Sequence, residues 1–161
     1  MTTLIATRGL PGSGKTTKAR AWVAQDVQGR ARINRDDLRA QLHDGVYLPT
    51  SEAHRGTERI VVAARNAAIL ALLSAGVDVV CDETNLSVKA VEDLRRLADD
   101  ANAVFEVWDL ADVPLAVCLQ RNSLREGRAR IPEDAVRGMF ERHVAAHFPQ
   151  PLPLPGDEVS R

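Results

Sequence analysis

Gly9-Leu10-Pro11-Gly12-Ser13-Gly14-Lys15-Thr16 is a complete phosphate-binding loop. It stands directly after the apolar run Leu4-Ile5-Ala6 and directly before a helical pattern that begins at Lys15. Glycines let successive backbone N–H groups turn inward around an anion, and the N-terminus of the following helix adds its partial positive charge. Lys15 can then reach the β- and γ-phosphates of a triphosphate, and the Thr16 hydroxyl can hold Mg²⁺. A glycine-rich turn can arise by chance, but the strand–loop–helix frame is the context the motif requires.

Outward from this loop, apolar strand-like runs alternate with helical patterns. Strands are expected at 3–8, 31–35, 77–81 and 104–110, and helices at 15–26, 36–43, 51–74, 87–101 and 113–126. Ile60, Ala64, Ala67 and Ala71 recur at helical spacing, and Gly76 stands where a helix C-cap belongs. A last helix should start near Pro132, with Glu133 and Asp134 in its first turn, and stop before Pro149. Gly45 to Pro49 reads as a turn. Such alternation predicts an α/β protein with a parallel sheet covered by helices on both faces. Residues 1–148 read as one domain and 149–161 as a proline-rich, extended tail.

The chain has 161 residues and a net charge of −1, so no global basic field draws it to nucleic acid or membrane. Lysine occurs only at Lys15, Lys18 and Lys89; all other basic residues are arginine. Cys81 and Cys118 lack metal-ligand spacing and read as buried thiols of a reducing cytosol, which points to a cytoplasmic protein. His143 and His147 are four residues apart, but no third metal ligand is evident. No apolar stretch is long enough to span a bilayer, and the N-terminus lacks a signal-peptide pattern.

In a parallel sheet, ligands sit at the carboxyl ends of the strands, and the informative residues fall there. Asn34-Arg35-Asp36-Asp37-Leu38-Arg39 follows the second strand. One of its aspartates could accept the proton of an attacking hydroxyl, and an arginine could hold an acceptor phosphate. Either aspartate could equally cap the next helix, and the spacing leaves both readings open. Cys81-Asp82-Glu83-Thr84-Asn85 ends the third strand, and Asp82 or Glu83 could bind Mg²⁺ through water. A capping turn explains Thr84, Asn85 or Ser87, but not two consecutive acids. Arg121, Arg125, Arg128 and Arg130 crowd one short stretch around Gly127, which reads as an arginine-bearing helical lid able to close over a phosphoryl group.

Taken in order, Gly-Leu-Pro-Gly-Ser-Gly-Lys-Thr, Ile-Asn-Arg-Asp-Asp-Leu-Arg, Glu-Thr-Asn-Leu-Ser, Arg-Asn-Ser-Leu-Arg and Ile-Pro-Glu-Asp-Ala-Val-Arg-Gly-Met give the chain its family likeness. From about residue 3 to 145 it resembles the 5′-kinase domain of the phage-type polynucleotide kinases. The resemblance implies a P-loop kinase-like fold that moves the γ-phosphate of ATP or GTP to 5′-hydroxyl ends of DNA or RNA, as in nucleic-acid end repair, with Mg²⁺ as cofactor. It implies that Gly12, Ser13, Gly14, Lys15, Thr16 and Thr17 bind the donor, with Arg121 beside its base and Arg125 stabilising the phosphoryl group in flight. Asp36 would be the general base, Arg39 would hold the acceptor phosphate, and Glu83, Thr84 and Asn85 would line the acceptor side. Where the family pattern has one Asp before Thr-Asn, this chain has Asp82 and Glu83. The phosphatase motif that follows in the phage enzyme is not found in this sequence, so no 3′-phosphatase activity is expected. A small-molecule kinase of the same fold, or a nucleotide-gated binding protein that only hydrolyses, would share the donor loop; Arg39 and Asp36 are the residues that discriminate.

Overall fold

The computed structural model describes residues 1–45 and 51–146. Four parallel strands, β1 (Thr3–Arg8), β2 (Arg30–Ile33), β3 (Asp78–Cys81) and β4 (Val104–Asp109), form one sheet in the order β2-β3-β1-β4. Leu4 lies beside Val79 and Phe105, and Ala6 beside Cys81 and Val107. Six α-helices are described: α1 (Lys15–Ala24), α2 (Arg35–His43), α3 (Ser51–Ser74), α4 (Val88–Asp100), α5 (Leu115–Ser123) and α6 (Glu133–His143). This is the α/β arrangement that the alternating pattern predicts. None of the described helices is long and apolar enough to cross a membrane.

Strand alternation divides the core into two faces. Leu4, Ala6, Val79 and Cys81 pack against Ile69 and Leu73 of α3 and Leu94, Leu97 and Ala98 of α4. Ile5 and Val80 face the other way, toward Ala19, Trp22 and Val23 of α1 and Trp108. A third cluster joins Leu10 of the phosphate loop to Leu86, Ala111, Cys118 and Val144, and so ties α5 and the end of α6 to the loop.

The expected elements are all present, with differences that have local causes. The second strand stops at Ile33 because Asn34 leaves the sheet to cap α2, accepting from the N–H groups of Asp36 and Asp37. Asp78 interrupts an apolar run because its Oδ1 accepts from the N–H of Thr3, 2.7 Å away, at the start of β1. Helix α3 has the expected period, and the face it buries is not that of the Ile60, Ala64, Ala67, Ala71 repeat. Ile60 is 54% exposed, and Ala67 and Ala71 face solvent; Val61, Ile69 and Leu73 are buried instead. The two stripes lie on different faces of one helix, and the bulkier side chains gain more from burial than alanines do. Gly76 closes α3 as expected: at φ +85°, its N–H bonds to Leu73 O and the next N–H, of Val77, to Leu72 O.

The helix expected over 113–126 is shorter, ending at Ser123, and is followed by a 3₁₀ turn at Gly127–Ala129. The last helix ends at His143, before Pro149 as expected. Residues 46–49 of the expected Gly45–Pro49 turn, His147, and the tail at 149–161 lie outside the described residues.

Candidate active site

Four loops meet at the carboxyl edge of the sheet, and backbone bonds join three of them. Gly9 N–H bonds to Thr84 O at 3.0 Å, and Asp82 N–H to Ile33 O at 2.9 Å. The Asn34 side-chain amide donates to Asp82 O. Thr7 Oγ1 donates to Glu83 O at 2.8 Å, and the buried Asn85 amide donates to Thr7 O at 2.8 Å. Asn85 thus fixes the exit of β1. The cap of α4 is Ser87, whose Oγ accepts from Ala90 N–H.

The phosphate loop is closed from above by the fourth segment. Gly12 adopts φ +88°, and a Cβ there would come within 2.3 Å of Cys118 O. Only glycine allows α5 to approach this closely. Arg121 Nη1 reaches to 3.4 Å from Gly12 O. Asn122, buried at the end of α5, donates to Ile131 O at 2.7 Å and accepts from Ile131 N–H at 3.1 Å, which fixes the path from α5 into α6. A cleft of about 500 Å³ opens between these layers, lined by Ser13, Gly14, Thr17, Lys18, Arg121 and Arg125. Of the expected donor set, Gly12, Ser13, Gly14, Thr17, Arg121 and Arg125 line this space.

Lys15 is buried beneath it. Its ammonium donates to Gly9 O at 2.9 Å and Leu10 O at 2.7 Å. Burial lowers its pKa from the usual 10.5 to about 8; the charges of Asp82 and Cys118 oppose that, and Arg125 adds to it. Asp82, 1% exposed, accepts at Oδ2 from Arg32 Nε–H, 2.7 Å away, while its buried Oδ1 has no hydrogen-bond partner. An orphaned carboxylate oxygen close enough to Lys15 to act on its charge fits a site for a hydrated cation beside Thr16. No cluster of three His, Cys, Asp or Glu exists among the described residues. Mg²⁺ is held mainly by phosphates and water with few protein ligands.

Glu83 Oε2 lies 3.0 Å from Arg65 Nη1 and 2.8 Å from Arg35 Nε, on the side of α2 and α3, while its buried Oε1, like Asp82 Oδ1, has no hydrogen-bond partner. Arg65 was not readable as a site residue, because a lone arginine within a long helix carries no local signal. Burial raises the thiols of both Cys81 and Cys118, so neither is a ready nucleophile.

After β2, Asn34 supplies the helix cap that either aspartate could have offered, and both aspartates are engaged elsewhere. Asp37 pairs with Arg32 at 2.5 Å. Asp36 Oδ1 pairs with Arg39 Nη1 at 2.5 Å, and its side chain is 78% exposed. Arg39 is only 9% exposed and is anchored from behind by Glu58, at 2.6 Å. Arg39 thus orients Asp36 in this structure, rather than standing open to an incoming phosphate. Glu58 was missed by sequence reasoning; its partner lies nineteen residues away in the chain.

With this geometry in view, the AAA domain family matches residues 4–149. A protein of Autographa californica nuclear polyhedrosis virus, described as a bifunctional polynucleotide kinase/RNA ligase, is 25% identical over 167 residues, covering 98% of this chain and 23% of the viral protein. A chain in the structure of the Pnkp1/Rnl/Hen1 RNA repair complex is 26% identical with a TM-score of 0.69, covering 99% of this chain and 50% of that one. A crystal structure from Chloroflexus aurantiacus, described as a kinase, shares the fold at 21% identity and a TM-score of 0.68, over 96% of this chain and 84% of that one. The chain thus spans about a quarter of the viral protein and half of the repair-complex chain.

Proposed function

Since the chain belongs to the AAA domain family, with a P-loop kinase-like fold, we propose that it is a polynucleotide 5′-hydroxyl kinase using ATP or GTP. The observation that carries this reading is Asp36: released from capping by Asn34, held by Arg39, and exposed at the same sheet edge as the phosphate loop. A protein that only binds or hydrolyses nucleotide has no use for a positioned acceptor base. The likeness to the viral polynucleotide kinase/RNA ligase and to the RNA repair complex supports a polynucleotide acceptor.

In this mechanism the loop amides and Lys15 hold the β- and γ-phosphates. The acceptor 5′-oxygen forms a bond to the γ-phosphorus while the bond to the β-γ bridging oxygen breaks. Asp36 takes the hydroxyl proton, and the nucleoside diphosphate leaves. Arg125, at the mouth of the donor cleft, neutralises charge on the phosphoryl oxygens, and Arg121 bounds the nucleotide next to Gly12. Charge neutralisation by Mg²⁺ would be held here by the Thr16 hydroxyl and, through water, by Asp82; Glu83, committed to two arginines, belongs to the acceptor wall. Thr84 lies beside it at the same strand end.

The test is transfer of labelled γ-phosphate to a panel of nucleosides, 3′-nucleotides, sugars and 5′-hydroxyl oligonucleotides. Label on the oligonucleotide 5′ ends is the expected result. Label confined to nucleosides or sugars would replace the polynucleotide with a small molecule, and release of free phosphate alone would remove the kinase.

A further inference from the structure

A second cleft of about 500 Å³ is lined by Arg35, the sequence neighbour of Asp36, and shares no lining residue with the donor cleft. Its walls are Arg35, which precedes Asp36, and Arg55, Glu58, Arg59, Val62 and Asn66 of α3. Residues 55, 59, 62 and 66 share one helix face. Glu58 on this wall is the anchor of Arg39, and Arg39 holds Asp36, so the cleft is joined to the base by one chain of ion pairs.

Two of its arginines stand out. Arg65, farther along α3, is committed to Glu83, and Arg35 is paired with the same carboxylate. Arg55 and Arg59 are exposed, and among the described residues neither side chain makes an ion pair or hydrogen bond. Placing like charges four apart on a helix is unfavourable unless something of opposite charge lies across them. Their rise along the axis is about 6 Å, close to the separation of neighbouring phosphates in an extended strand. Val62 supplies an apolar floor on which a sugar or base can rest.

We infer that this cleft is a groove for the body of the acceptor strand, with Arg55 and Arg59 contacting successive phosphodiesters beyond the reacting end. The inference rests on the 5′-hydroxyl kinase reading and adds that affinity should grow with acceptor length. An extended polyanion is the occupant that the charge selects. A neutral nucleoside or sugar would leave both guanidinium groups without a partner.

The experiment compares a nucleoside 3′-monophosphate with a 5′-hydroxyl hexanucleotide in the wild-type protein and in the Arg55→Ala/Arg59→Ala double variant. The hexamer should have the higher kcat/KM in the wild type. The double variant should cut the hexamer-to-mononucleotide ratio about tenfold, chiefly through the KM of the hexamer. The slope of log affinity for the hexamer against log salt should fall by about 1.4, two single-strand contacts. An Arg55→Lys/Arg59→Lys variant should restore most of the ratio, which a merely structural loss would not predict. If both acceptors are phosphorylated and the ratio and salt slope do not change, the groove is overturned while the kinase stands. If neither acceptor is phosphorylated, the kinase reading falls and this inference falls with it.

Discussion

On the proposed reading, the donor and acceptor halves of this site are built from different materials. The donor half is made largely of backbone: loop amides, the carbonyls of Gly9 and Leu10 around Lys15, and a glycine pressed against Cys118 O. The acceptor half is made of side-chain charge: Asp36, Arg39 and Glu58 in one chain, and Arg35, Glu83 and Arg65 in another. Backbone geometry is set by a short local motif and serves any triphosphate. Charge chains depend on residues far apart in sequence and can be rewired to suit different acceptors. Members of one fold can therefore share a donor while differing in what they phosphorylate.

That division can be broken most directly at Asp36. Asp36→Ala should lower kcat by about 10³-fold, or about 4 kcal/mol of barrier, with the affinity for nucleotide nearly unchanged. Steady-state rates and a nucleotide titration measure the two separately. A parallel loss of nucleotide affinity would show that the halves are not independent.

The next largest effect belongs to Lys15 and is a pH dependence. In the folded protein its pKa is lowered to about 8, while the unfolded chain keeps the usual 10.5. Between those values the unfolded state holds a proton that the folded state has released, so stability rises with pH across this window and is flat below it. The full rise should be about 3 kcal/mol. Denaturant melts from pH 7.5 to 10.5, without nucleotide or metal, should show it, and Lys15→Met should abolish it together with phosphoryl transfer. A rise that survives in the variant would place the titrating group elsewhere.

Glu58 sharpens the comparison from the acceptor side. Glu58→Ala leaves the nearly buried Arg39 without its anchor, at a cost of about 2 kcal/mol, less than for a fully buried pair because Glu58 is partly exposed. The melting temperature should fall by roughly 6 °C and kcat by about tenfold, with the donor KM unchanged. Glu58→Gln, which keeps an acceptor for Arg39, should recover part of both.

These expectations separate what the sequence shows from what it hides. The phosphate loop was legible because its function is encoded in consecutive residues, and the alternating pattern was legible because burial follows strand and helix periods. On α3 the period was readable but the face was not, since the Ile60–Ala64–Ala67–Ala71 stripe and the Val61–Ile69–Leu73 stripe both fit a helical period. Asp36 could be named, but only the structure releases it from capping, because Asn34 takes that role. Glu58 and Arg65 carried no signal at all. Each acts through a partner on another element, and ion pairs between distant segments leave no spacing to read.

The smallest expected effect concerns the cover over the donor. Asn122 makes two hydrogen bonds with the backbone of Ile131, one as donor and one as acceptor. Asn122→Ala would strand the part-buried N–H and C=O of Ile131, at about 1.5 kcal/mol, or roughly 4 °C in melting temperature. Asn122→Asp is the sharper variant. It keeps the bond from Ile131 N–H but sets a carboxylate oxygen against Ile131 O, so it should destabilise at least as much as alanine at neutral pH and recover as the carboxylate is protonated. Either change loosens the segment between Arg121 and Arg125, so the donor KM should rise while the hexamer-to-mononucleotide ratio stays fixed. If that ratio moves as well, the path from α5 into α6 also shapes the acceptor groove, and the two halves share a wall.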